Sequence, residues 1–181
     1  WASWSEGDDL RFNYSYVNWM GRSTYKGFPN TDRESPRLVA DVTAELAKKH
    51  ALKRVFVGGH SQGGFLTYLL HMHFPEQFAG SFPVSGGLVM QAEPDVFEDA
   101  KLKALQRLRP MAIVHGRQDN VVPFSTGLYV RERFEGEGFP LATLIEPELG
   151  HPYDFLPIGD AVRYLDALTA PKPEPLVAFA K

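Results

Sequence analysis

A serine with glycine two residues away on each side, Gly59-His60-Ser61-Gln62-Gly63, lies between a short apolar run, Val55-Phe56-Val57, and a stretch free of helix breakers as far as Pro75. A serine hydroxyl is a weak nucleophile at its free pKa. It becomes useful when a turn lifts it clear of the backbone and sets it beside a base and an oxyanion donor. A sharp strand-to-helix turn does this, and Gly59 and Gly63 are expected to relieve the clashes that a Cβ would cause in so tight a bend. The plainer alternative is an idle serine in a glycine-rich turn. The β-type residues before it and the apolar run Phe65-Leu66-Thr67-Tyr68-Leu69-Leu70 after it favour the chemical reading.

A nucleophilic serine needs a base, and the base needs an acid to orient it. In a parallel α/β sheet such groups sit in loops just past the carboxyl ends of strands. The apolar run 110–115 ends in Gly116-Arg117-Gln118-Asp119-Asn120-Val121-Val122-Pro123, which puts Asp119 in such a loop. The run 141–145 is followed by Glu146-Pro147-Glu148-Leu149-Gly150-His151, which does the same for His151. Each has an alternative: Asp119 as an Asx-type turn residue, and His151 as an exposed loop histidine. Asp154 and Asp160 compete for the acid role, although both follow the candidate histidine, and Asp160 suits the first turn of a last helix. His60 reads as packing or pocket lining, His115 as a hydrogen-bonded strand residue, and His50 as a helix C-terminus. His71 and His73 point about 200° apart on a helix and cannot share a metal.

These groups require elements to hold them. Helical spacing, a Ser35 cap and Pro36 in the first turn predict a helix from Glu34 to His50, with Leu38, Val39, Val42 and Leu46 as its apolar stripe. Strands are expected at 55–58, about 78–84, 111–115 and 141–145, with helices at 62–73, 125–135 and 158–169. This alternation predicts an α/β fold with a mostly parallel sheet flanked by helices. The polar segment from Gly86 to Pro110 reads as a crossover between neighbouring strands rather than a cap over the site.

Gly-His-Ser-Gln-Gly-Gly at 59–64, His-Gly-x-x-Asp-x-x-Val-Pro at 115–123 and Gly-His at 150–151 together resemble the phospholipase/carboxylesterase and dienelactone-hydrolase-like esterases of the α/β-hydrolase superfamily. The last two motifs also resemble prolyl oligopeptidase-type peptidases. The resemblance covers roughly residues 34 to 170. It implies a triad in the order Ser61, Asp119, His151, with Ser61 attacking the carbonyl of a small-molecule carboxylic ester and carrying the acyl group. His151 would shuttle the proton, Asp119 would hold the imidazole, and the Gln62 amide would help bind the oxyanion. No cofactor is implied. The alternatives are a serine peptidase and a non-catalytic hydrolase-fold half that needs a partner chain.

The resemblance also implies what precedes these motifs. Several strands and a second oxyanion loop come before the nucleophile strand in the family, whereas here one clear helix and no clear strand precede Val55. Residues 1–170 are therefore expected to be the carboxyl-terminal part of one domain, entered after the family's fourth strand and completed by a preceding segment or second chain. The aromatic-rich first thirty residues read as pocket lining or as packing, and 171–181 as a proline-rich tail.

Composition excludes other chemistry. The chain is 44% hydrophobic and 23% charged, with a formal charge of −3 and no basic stripe, which argues against a nucleic-acid binder. With no cysteine it has no disulfide, thiol nucleophile or cysteine–zinc site. No run has the apolar length of a membrane span. The sequence opens on Trp1 rather than methionine, so a trimmed start is expected and the compartment is left open.

Overall fold

The computed structural model describes residues 34–87, 109–136, 138, 141–151 and 157–171. In chain order the elements are α1 (Glu34–Lys49), β1 (Phe56–His60), α2 (Gln62–His73), β2 (Gly80–Val84), β3 (Met111–Gly116), α3 (Phe124–Gly136), β4 (Leu141–Glu146) and α4 (Ile158–Thr169). The four strands form one sheet in the order β1-β2-β3-β4, every pairing parallel. The α/β reading therefore holds. Connections of one hand that advance in one direction across a parallel sheet must lie on one face, and α2 and α3 share a face.

Alternation along β3 explains the two layers. Met111 and Ile113 point to the face where Tyr68 and Met72 of α2 meet Val130 and Phe134 of α3. Ala112 and Val114 point the other way, with Val84, onto Ala161 and Leu165 of α4. All six residues of β3 are buried, as expected for a strand covered on both sides. From Gly64 to Met72, α2 is buried along its whole length, because it is wedged between the sheet, α3 and α1. A helix apolar all round has nowhere else to go.

Two expectations need correction. The stripe Leu38, Val42 and Leu46 does not face the core: these side chains are 62%, 51% and 48% exposed. The buried side of α1 runs through Pro36 and Ala40, and Ala40 with the partly buried Val39 packs on Leu66, Leu69, Leu70 and Phe78. The spacing identified a helix but not its inner face, because α1 carries apolar residues on two sides. The second strand starts at Gly80 rather than 78. Phe78 is spent as a core plug under α1 and α2, and pairing begins only after the Ala79 amide reaches the Val55 carbonyl at 2.7 Å.

The crossover expected between Gly86 and Pro110 falls mostly outside the described residues, as do the aromatic first thirty residues and the tail. Among the described residues β1 is an end strand of the sheet.

Candidate active site

The serine turn is strained where the sequence suggested it would be. β1 runs to His60, and Ser61 follows at φ 56°, ψ −116° before α2 begins. A positive φ on a residue with a Cβ costs on the order of 1–3 kcal/mol and persists only where its surroundings enforce it. Here the Ser61 amide donates to the Val84 carbonyl at 2.9 Å, while the Ser61 carbonyl accepts from Gly64 at 2.8 Å and Phe65 at 3.2 Å. A Cβ on Gly59 would lie 2.5 Å from the Gly63 carbonyl oxygen, so Gly59 is required as expected. Gly63 is different, since a Cβ there would meet nothing within 4 Å. The second crowded glycine is Gly64, whose Cβ would sit 2.7 Å from the Val84 carbonyl oxygen and 2.9 Å from the Gly86 Cα. Gln62 is the first residue of α2, where a backbone N–H has no acceptor within its own helix.

Asp119 is both a turn residue and a histidine partner, one oxygen serving each role. Its Oδ1 accepts from the amides of Val121 at 2.9 Å and Val122 at 2.8 Å. Its Oδ2 accepts from His151 Nδ1 at 2.9 Å. Burial pushes the Asp119 carboxyl up, but the hydrogen bonds from His151, Val122 and Val121 outweigh that and hold it below its ordinary value. It therefore stays ionised and can only accept. Beneath it His115 is fully buried, with Nε2 donating to the Val122 carbonyl at 2.9 Å and lying 3.4 Å from Asp119 Oδ2. Burial lowers the His115 pKa against the opposing pull of Val122 and Asp119, so it braces the Asp119 turn as a neutral ring. Asp160 lies exposed on α4, paired with Arg163, and is not the partner of His151. Asp154 falls outside the described residues.

His151 follows β4, three strand spacings or roughly 14 Å from β1, so its loop must cross the top of the sheet. It passes directly over Gly116, where a Cβ would strike the carbonyl oxygens of Leu149 and Gly150. Amides of the β3 loop hold it there: Arg117 donates to the Glu146 carbonyl and Gln118 to the Leu149 carbonyl, both at 2.9 Å. At the far side His60 Nε2 donates to the His151 carbonyl at 2.6 Å, and the two rings stand 4.6 Å apart. The side chain of His151 remains 18% exposed. Among the described residues no hydrogen bond joins Ser61 Oγ to the His151 ring.

Sequence reasoning missed the contribution of His60 and that of Gly116. A histidine beside a serine carries no signal of the carbonyl it will meet, whereas the glycine after His115 did mark a place of close approach. It also missed a buried pair, Ser81 Oγ and His71 Nδ1, hydrogen-bonded at 2.8 Å inside the core. Among the described residues no cluster of metal-ligating side chains occurs, and no helix is long and apolar enough to cross a membrane.

Known proteins resemble this chain in sequence and in fold. The chain is 28% identical over 167 residues to acyl-protein thioesterase 1 of Eremothecium gossypii, a match covering 90% of this chain and 68% of that protein. In structure it is similar to esterase PE8, with a TM-score of 0.54 at 21% identity over 75% of this chain and 58% of the other. It is also similar to Atu2452, a protein of unknown function from Agrobacterium tumefaciens, with a TM-score of 0.59 at 20% identity over 82% and 69%. The chain thus spans between about three fifths and two thirds of the length of these three proteins. A family model described as phospholipase/carboxylesterase matches residues 13–136, and with the parallel sheet flanked by helices this places the chain in the phospholipase/carboxylesterase family of the α/β-hydrolase fold.

Proposed function

We propose that this chain carries the catalytic triad of a serine hydrolase that cleaves carboxylic esters, and acyl thioesters by the same route, through an acyl-enzyme on Ser61. The observation that carries this reading is the 2.9 Å bond from His151 to an ionised, buried Asp119, held at the end of the sheet where Ser61 is strained into its turn. His151 Nε2 takes the Ser61 proton as Oγ attacks the carbonyl, and returns it to the leaving alcohol or thiol. Asp119 fixes the tautomer and stabilises the imidazolium. The Gln62 amide donates to the developing oxyanion. Water, deprotonated by His151, then attacks the acyl carbonyl and releases the acid from Ser61. The thioester arm is supported by the name of the Eremothecium relative. A thiol leaves with a pKa near 8.5, so it needs less help from His151 than an alcohol does.

The test is labelling by a fluorophosphonate probe together with turnover of a short p-nitrophenyl ester and a short acyl thioester. Stoichiometric labelling of Ser61, lost with turnover in Ser61→Ala, supports the reading. Labelling that persists in Ser61→Ala overturns it.

A further inference from the structure

We propose that His60 is a positioning residue, whose Nε2–H holds the main chain of His151 so that the base is tied to the nucleophile's own strand. The inference rests on the triad reading above and deepens it.

A carbonyl oxygen can only accept, so the 2.6 Å contact between His60 Nε2 and the His151 carbonyl requires the proton on that His60 nitrogen. This nitrogen is already donating and is not the group that receives the Ser61 proton, although His60 lies next to Ser61 in the chain. Its position is rigid. His60 is paired in register with Val84, and the following amide, that of Ser61, bonds the Val84 carbonyl at 2.9 Å. His151 has the opposite problem, because it sits on a loop that leaves the far strand and crosses two others. Asp119 grips its ring at Nδ1, while the β3-loop amides hold the crossing loop at Glu146 and Leu149, short of His151 itself. The bond from His60 fixes a second point, on the main chain. With both points held, the exposed side of the ring is aimed from β1 as well as from β3. Small misplacements matter here: an error of about 1 Å in a catalytic group can cost on the order of a hundredfold in rate.

The experiment compares His60→Gln with His60→Asn in the full chain, measuring kcat and KM on a short p-nitrophenyl ester and the rate of fluorophosphonate labelling at Ser61. A glutamine amide reaches about as far as an imidazole Nε2, and an asparagine amide falls short of it. The expected result is that Asn lowers kcat and labelling by about ten- to a hundredfold at a KM within about twofold. Gln is expected to retain most of the rate, with the two variants melting within a few degrees of each other. Equal rates for Gln and Asn, whether both high or both low, would overturn the proposal, as would a loss confined to KM. Ser61→Ala separates the two ideas. If it still turns over, the triad reading has failed; if it is dead while His60→Asn is fully active, only the role of His60 has.

Discussion

Two serine–histidine combinations lie against this sheet, and on the triad reading the hydrogen-bonded one is the unreactive one. Ser81 and His71 are hydrogen-bonded at 2.8 Å, but both are buried in the core between β2 and α2. Burial, reinforced by the charge of Arg109, pushes the His71 pKa down to about 4, leaving a base too weak to draw a proton from serine near neutral pH. Ser61 and His151 have no such direct bond, yet His151 is braced by an ionised carboxylate, partly open to solvent and anchored at its main chain, while Ser61 is held in a strained turn. Proximity of serine to histidine is therefore a poor marker of chemistry. What separates the two regions is an acid behind the histidine, access in front of it, and backbone strain that presents the hydroxyl.

The sharpest way to break this contrast is to remove the serines in turn. Ser61→Ala is expected to lower ester turnover by at least about ten-thousandfold, whereas Ser81→Ala should leave kcat within about twofold and cost about 1–2 kcal/mol in urea unfolding, since it strips a buried partner from His71. Comparable activity losses from both would erase the distinction. Next is the acid: Asp119→Asn is expected to lower kcat by about a thousand- to ten-thousandfold, because an amide can hold the wrong histidine tautomer. Asp160→Asn, on the exposed face of α4, should change kcat by less than about twofold.

A third substitution, Gly116→Ala, tests the loop crossing. Its Cβ would press on the Leu149 and Gly150 carbonyls, and the expected outcome is a cost of about 1–3 kcal/mol in stability with kcat down about tenfold or more. An unchanged kcat would show that the loop can lift without moving His151.

The smallest effect concerns pH. An unfolded histidine takes a proton near pH 6.5, whereas folded His71 resists until about pH 4. Its neutral burial therefore costs nothing above pH 6.5, and stability falls as the pH drops from 6.5 towards 4. Replacing both partners, as in His71→Leu with Ser81→Ala, should flatten that decline without abolishing it, because His115 is depressed in the same direction. Urea midpoints at pH 7.5 and 4.5 measure the difference. The depressed Asp119 adds a further loss of stability at lower pH, in the carboxylate range.

The division between what the sequence revealed and what it hid follows from the range of the interactions. The turn at Ser61, the loop positions of Asp119 and His151 and the alternation of strands and helices are local or periodic, so they were legible in residue types and spacing. The bond that joins Asp119 to His151 spans 32 positions and was reached only by placing two strand ends on one side of a parallel sheet. The His60 bond to the His151 carbonyl spans 91 positions and ends on a backbone atom, which every residue possesses and no sequence pattern marks. The inward face of α1 was misread for a related reason. Leu38, Val42 and Leu46 satisfy the helical period as well as the buried side does, and only the partner helix α2 decides between them.

The sheet is laid down in the same order as the chain, each strand pairing with the one before it. Such pairings close short to moderate loops, which favours stepwise growth from β1 to β4. The contact of His151 with His60 and Asp119 is different, because it joins the end of the last strand to the first and third. Competence should therefore arrive after most secondary structure has formed. In a refolding time course, fluorophosphonate reactivity at Ser61 is expected to lag behind recovery of the helical circular dichroism signal, making Ser61 a reporter of the chain's final folding step.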